Sequence, residues 1–285
     1  MTLVLDKIKK QYKTFELDLS LTLEPGTITG IIGRNGAGKS TTFKAILGLI
    51  ELTDGKVFID GKEPKDLKPA EKEKIGVVLS DSGFSGYMTV KDVIATMNAM
   101  YSKFNKNDFI SQCEHFHIPL NQRIKEFSTG MKAKLKVLLA ISHDAKLLVL
   151  DEPTAGLDVV VRNEILDLLR EYMENEENSI LISSHISSDL EGLCDDVYFI
   201  EDGKIILYEE TDILIDKYGI LKVTPEQYEK LEQEYIICTR KDKYGCTCLT
   251  GQKQYFKENH PNIVIEKSTI DEIIALMLCD RKEEK

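Results

Sequence analysis

Residues Gly33 to Ser40 read GRNGAGKS, behind a short β-branched run at Ile28–Ile32 and ahead of a helix predicted from about Lys39 to Leu49. No other stretch restricts the fold as much. A strand must deliver the chain into a glycine-rich turn and a helix must leave it, so that the backbone amides of the turn face one point. The glycines let those amides turn inward, and the helix adds its positive end. Lys39 can bridge terminal phosphates, and Ser40 can offer a hydroxyl to magnesium. All four parts suit one polyanionic ligand.

The surrounding pattern is that of an α/β core. Leu3 to Asp6 and Phe15 to Leu23, the latter including ELDLSLTL, alternate apolar and polar residues as half-buried strands do, which predicts an antiparallel β-layer. Compact apolar runs at Lys74–Leu79, Leu147–Leu150 and Ile180–Ser183 are separated by helical stretches, the arrangement of a parallel sheet covered by helices. Between Thr89 and Asp144 strand signals vanish, and VKDVIATMNAMYSKF and MKAKLKVLLAISH space apolar residues by three and four. This predicts a helical insert of about three helices. From Tyr218 onward LKVT, YIICTR, CTCLT and IVIEK alternate with helical PEQYEKLEQ, Gln252–Asn259 and TIDEIIALML, as in a small α+β domain with its own sheet.

Leu147 to Pro153 reads LLVLDEP, a buried strand that ends on two adjacent carboxylates. After a phosphate loop, the first of these, Asp151, is the candidate magnesium ligand. Glu152, next to it, is the candidate general base for an attacking water.

Over roughly Met1 to Asp212 these residues resemble the nucleotide-binding domain of ABC transporters. STGM at Ser128–Met131 stands where that family has its Ser-Gly-Gly-Gln signature, Ala155–Asp158 looks like its dimer-contacting loop, and His185 after ILISS looks like its switch histidine. The resemblance implies a P-loop nucleoside triphosphatase fold: an α/β core with an N-terminal antiparallel β-layer and a helical subdomain at about 85–145. Residues 1–213 would form the ATP-binding domain and 214–285 a small C-terminal α+β accessory domain. It implies ATP and Mg2+ as ligands, contacted by Gly33, Arg34, Asn35, Gly36, Ala37, Gly38, Lys39, Ser40 and Thr41. Tyr12 would stack on adenine, with Phe15 close enough to compete. Lys39, Glu152 and His185 would carry hydrolysis. Ser128 and Gly130 would reach the γ-phosphate site of a second subunit and Asp158 would contact that subunit, so that two copies, or this chain and a related ATPase, close around ATP beneath a membrane-embedded permease.

Two departures from the family pattern bear on that reading. The family's metal-linked glutamine falls near Ser80 in LSDSGF, leaving Ser80 or Asp81 as substitutes. In the signature, Thr129 replaces a glycine and Met131 the glutamine, which predicts a working but slow ATPase. The C-terminal STIDEIIALML resembles the closing helix of exporter and drug- or peptide-resistance ATPases, which tilts the expectation toward export of a peptide, drug or lipid-like cargo.

Charge and composition narrow the alternatives. The formal net charge is −11 with no basic block, which disfavours binding to nucleic acid, and the ribosome- or DNA-acting branch would also need a second cassette or a long coiled coil. From Asp216 onward 12 basic and 13 acidic residues leave the tail nearly neutral. No apolar run approaches the roughly 20 residues of a membrane-spanning helix, and the lysines after the short apolar start do not fit a secretory signal. A cytoplasmic protein, peripheral on the inner face of the membrane, is the expectation. Six cysteines without a Cys-x-x-Cys pair predict reduced thiols. Zinc at Cys113, His115 and His117, or at Cys246 and Cys248, is disfavoured because neither spacing is that of a structural zinc site.

Overall fold

The computed structural model describes residues 1–80, 83–243 and 245–283. In chain order the first half comprises β1 (Leu3–Gln11), β2 (Glu16–Leu23), β3 (Ile28–Ile32), α1 (Lys39–Ile46), β4 (Asp54–Ile59), α2 (Pro69–Lys72), β5 (Ile75–Val78), α3 (Val90–Met100), α4 (Lys106–His115) and α5 (Thr129–Ile141). There follow β6 (Leu147–Asp151), α6 (Val159–Met173), β7 (Ser179–Ser184), α7 (Ser187–Glu191), β8 (Asp196–Glu201), β9 (Lys204–Glu210) and α8 (Thr211–Asp216). The last part holds β10 (Gly219–Val223), α9 (Pro225–Tyr228), β11 (Ile236–Asp242), β12 (Gly245–Thr250), α10 (Lys253–Asn259), β13 (Val264–Lys267) and α11 (Ile270–Glu283).

The central sheet has the order β5-β6-β7-β3-β8-β9, parallel except for β9. Every residue of β3 and β6 is buried, as a strand covered on both faces requires. Alternate side chains go to opposite sides. Ile32, Leu150 and Ile182 join one core with helices α3 to α6, whereas Ile31, Val149 and Leu181 join a second with α1 and the antiparallel layer β2-β1-β4. In β1 the pairing register shifts between Leu5 and Ile8, around Lys7 at φ 45°. The bulge changes the parity of the strand, so Leu3, Leu5 and Ile8 all reach the same core.

The sequence reading missed β4, β8 and β9. The first completes the antiparallel layer. The other two form a hairpin closed by Asp202 (φ 47°) and Gly203 (φ 75°), the left-handed pair that a two-residue turn demands. The helix predicted to Leu49 ends at Ile46, just before Gly48 takes φ 65°. The three helices of the insert, α3 to α5, lie over one face of the central sheet.

The C-terminal strands form an antiparallel sheet, β11-β12-β10-β13. Leu221, Cys246, Cys248 and Phe256 make a small core on one side of it. On the other side Ile220, Cys238 and Leu249 meet Ile270, Ile273 and Leu276 of α11, which are continuous with the main core. Helix α11 lies against α7, and the Ile270 N–H donates to Glu191 Oε1 at 2.8 Å. PEQYEKLEQ yields only a four-residue helix, because Leu231 turns down into the small core. All six cysteines are free thiols, and burial pushes the Cys113 thiol up to about 12.

Candidate active site

The phosphate loop sits where β3 ends, braced from below by the β8–β9 hairpin. A Cβ on Gly33 would lie 2.4 Å from the Ile200 carbonyl oxygen, so only glycine lets the loop pass over β8. Gly38 caps α1 at φ 116°, a conformation that L side chains rarely adopt. The Gly203 N–H donates to the Ala37 carbonyl at 2.9 Å, tying the hairpin turn to the loop. Lys39 is 6% exposed, and its Nζ donates to the Gly33 carbonyl at 2.6 Å and lies 3.1 Å from Glu152 Oε1.

Strand β6 brings the two carboxylates to the same place because it runs parallel to β7, with Asp151 opposite Ser183. The Ser183 hydroxyl donates to Asp151 Oδ1 at 2.8 Å and accepts the Glu152 N–H at 3.0 Å. Ser40 Oγ, at the start of α1, donates to Asp151 Oδ2 at 2.7 Å, and Ser80 Oγ, just after β5, donates to the same oxygen at 3.2 Å. Glu152 stands at φ 53°, a strained position for a side-chain-bearing residue. The Ser183 bond, the Lys39 ion pair and the approach of His185 hold it there. His185 Nδ1 is 2.5 Å from Glu152 Oε2, which also accepts the His185 backbone N–H at 3.2 Å.

These groups edge a cavity of about 460 Å³ whose wall includes Arg34, Asn35, Gly36, Gly38, Lys39, Ser40 and Thr41. Ser80, Glu152 and His185 face it from the other strand ends. Ala37 is buried beneath the loop. Of the two aromatic candidates Phe15 lines the cavity, while Tyr12 is 42% exposed with its ring 6.2 Å from that of Phe15. Asp81 lies outside the described residues.

Ser128, Gly130 and Asp158 do not line this cavity. Ser128 caps α5 by accepting the Met131 N–H, and Asp158 caps α6 by accepting those of Val160 and Val161. Gly130 lets the two helices meet, since a Cβ there would be 3.1 Å from Val161 Cγ1. Val159 and Val160 beside the Asp158 cap are 64% and 68% exposed, and Ser128 and Thr129 are exposed as well, so both helix starts face outward. Ser183 escaped the sequence reading. Its signal was a serine at the end of a fully buried apolar strand, beside the strand that carries Asp151.

Asp151 Oδ2, Ser40 Oγ and Ser80 Oγ converge as three hard oxygen donors, a set that suits magnesium with its remaining positions left to water and phosphate. Among the described residues no three His, Cys, Asp or Glu side chains cluster as a metal site of another kind.

A lysine-bearing glycine loop set against an Asp-Glu strand end in a parallel sheet marks the P-loop nucleoside triphosphatases. Comparison with known proteins narrows the class. A family model described as ABC transporter matches residues 17–155. The ABC transporter ATP-binding protein YtrB of Bacillus subtilis is 33% identical over 201 residues, covering 70% of this chain and 68% of that one. The lantibiotic transport ATP-binding protein SrtF of Streptococcus pyogenes is 34% identical over 218 residues, covering 74% and 91%. A solved structure of an ATP binding subunit of an ABC transporter superposes with a TM-score of 0.67 at 24% identity, covering 75% of this chain and 92% of that one. The chain belongs to the ABC transporter family and is one of its ATP-binding, ATP-hydrolysing subunits. Subunits of this family dimerise and work with membrane permeases, and among the described residues no helix is long and apolar enough to cross a membrane.

Proposed function

We propose that this chain is the motor of an exporter for a peptide, drug or lipid-like cargo, held on the cytoplasmic face of the membrane by its permease. The observation that carries this reading is the meeting of Lys39, Ser40, Asp151, Glu152 and His185 at one end of β3, β6 and β7. Export is supported by the similarity to SrtF, a lantibiotic transport protein. Residues 1–213 act as the ATP-binding domain and 214–285 as a docked accessory domain.

In this reading the loop amides and Lys39 hold the β- and γ-phosphates, and Phe15, with Tyr12 behind it, covers the adenine. Ser40, Asp151 and Ser80 would hold magnesium, which when bound neutralises charge on the phosphate oxygens. Glu152 accepts a proton from the attacking water, and His185, paired with that carboxylate, orients it and contacts the γ-phosphate. The outward α5 start at Ser128 and Gly130 serves the γ-phosphate of the facing subunit, an identical copy or a related ATPase, and Asp158 contacts that subunit. ATP then bridges two subunits, and its hydrolysis lets them part.

The test is ATP hydrolysis against protein concentration for wild type and Glu152→Gln, with light scattering to follow association. Faster-than-linear activity in the wild type, and an inactive variant that dimerises on ATP, is the expected result. Activity strictly proportional to concentration, with no ATP-dependent dimer even beside a co-expressed permease, would sink the shared-site reading.

A further inference from the structure

Asp189 is 3% exposed, lies on α7 four residues past His185, and is absent from the cavity wall. A carboxylate so buried survives only if other groups compensate its charge. Here the Thr154 hydroxyl, itself 1% exposed, donates to Asp189 Oδ2 at 2.7 Å, and Arg162 Nε lies 3.7 Å from Oδ1. Arg162 Nη2 in turn donates to the Leu157 carbonyl at 3.5 Å.

The three partners belong to three segments that the site needs in register. Thr154 is two residues past Glu152, Arg162 is one helical turn past Asp158, and Asp189, on α7, is four residues past His185. Glu152 sits in a left-handed conformation, and its 2.5 Å approach to His185 depends on where the chains on either side are held. A displacement of α7 carries Asp189 with it and pulls on both Thr154 and Arg162.

We infer that Asp189 is a positioning residue for hydrolysis, a buried clamp that fixes the Glu152 turn and the Asp158 helix start against the His185 segment. It does not line the cavity that Glu152 and His185 face. Its contribution is to the geometry of the two groups that do, so it acts on turnover and leaves ATP affinity alone. The inference rests on the roles given above to Glu152 and His185.

The experiment compares kcat, KM for ATP and Tm for Asp189→Asn, Thr154→Val and Thr154→Ser, with Glu152→Gln alongside. Asp189→Asn and Thr154→Val are expected to lower kcat roughly tenfold or more while KM stays within about twofold. Thr154→Ser keeps the hydroxyl and is expected to restore wild-type kcat. The double variant Asp189→Asn/Thr154→Val is expected to be no worse than the poorer single one, because both remove the same contact. Folded Asp189→Asn and Thr154→Val proteins with wild-type kcat overturn the inference even when Glu152→Gln is inactive. A Glu152→Gln protein that still turns over removes the reading beneath it instead. Where the buried variants do not fold, Arg162→Gln, at a side chain 22% exposed, replaces them. A folded Arg162→Gln with unchanged kcat overturns the clamp, and one with lowered kcat and unchanged KM upholds it.

Discussion

Lys39 Nζ and Glu152 Oε1 stand 3.1 Å apart, which pairs the phosphate-loop lysine with the carboxylate proposed as the base. In the proposed reading ATP parts them, its terminal phosphates taking the lysine and bringing their own negative charge beside Glu152. Glu152→Gln removes both the competitor for Lys39 and the repulsion. It is expected to lower turnover ~10²- to 10⁴-fold while binding ATP several-fold more tightly than wild type. Equilibrium binding of a fluorescent ATP analogue checks this, and an unchanged or weaker affinity in the variant counts against the pairing.

Phe15 lines the cavity and Tyr12 stands behind it, which separates two aromatic residues three positions apart. A base stacked on Phe15 loses about 1 kcal/mol on truncation, so Phe15→Ala is expected to raise KM for ATP roughly fivefold. Tyr12→Ala is expected to change it by less than twofold. Steady-state kinetics of the two variants decides, and the reverse order of effects would return the adenine to Tyr12.

The family pattern's glutamine falls near Ser80, with Asp81 the other substitute, and the Ser80 hydroxyl donates to Asp151 Oδ2 at 3.2 Å. Its removal leaves Asp151 with Ser40 and Ser183. Ser80→Ala is expected to raise the magnesium concentration for half-maximal hydrolysis roughly tenfold, with the saturated rate largely retained. A titration of activity against magnesium tests it. An unchanged midpoint assigns Ser80 to packing alone.

What could be read from the chain was whatever is local in it. GRNGAGKS and LLVLDEP mark their strand ends within a few residues, and β3, β6 and β7 announce themselves as apolar runs. The contacts that join them are set by strand register, and register leaves no local mark. Nothing around Ser183 says that it faces Asp151, and nothing in ISSDL says that Asp189 is buried against Thr154. The missed β4, β8 and β9 begin or end on charged residues that break the apolar run. Their evidence lay in turn chemistry, such as the Asp202-Gly203 pair, more than in periodicity.

Asp196, at the start of β8, has its carboxyl pushed up to about 6 by burial and by the neighbouring charges of Asp195, Glu210 and Glu24. The Thr29 hydroxyl beside it pulls the value down, but less than burial raises it. The folded chain therefore holds that proton more tightly than the unfolded chain, whose value is near 3.8. The resulting stabilisation is fully present below about pH 4 and is lost as pH rises through about 6. At pH 7.5 the ionised group weighs on the fold, by about 1 kcal/mol once solvent screening is allowed for. Asp196→Asn is expected to raise Tm by a few degrees at pH 7.5 and to give no gain at pH 4. Thermal melts across that range check the sign, and an equal gain at both pH values would refute it.

Gly203 supports both the fold and the site, and the two effects can be told apart. At φ 75°, a Cβ there would fall 1.9 Å from the Glu16 carbonyl oxygen, while the residue's own N–H holds the Ala37 carbonyl and its C=O accepts the Asp18 N–H. An alanine must push β2 and β9 apart and loosen the phosphate loop from beneath. Gly203→Ala is expected to cost about 2–3 kcal/mol, lowering Tm by roughly 5 °C or more, and to raise KM for ATP in the fraction that stays folded. Gly61→Ala provides the comparison: it too has positive φ, at 76°, but a Cβ there meets nothing within 4 Å. It carries the backbone strain without the collision and without the bond to Ala37. Its expected loss of stability is smaller and its KM unchanged. If both variants lose the same stability, strain alone accounts for Gly203, and the hairpin is no brace for the loop.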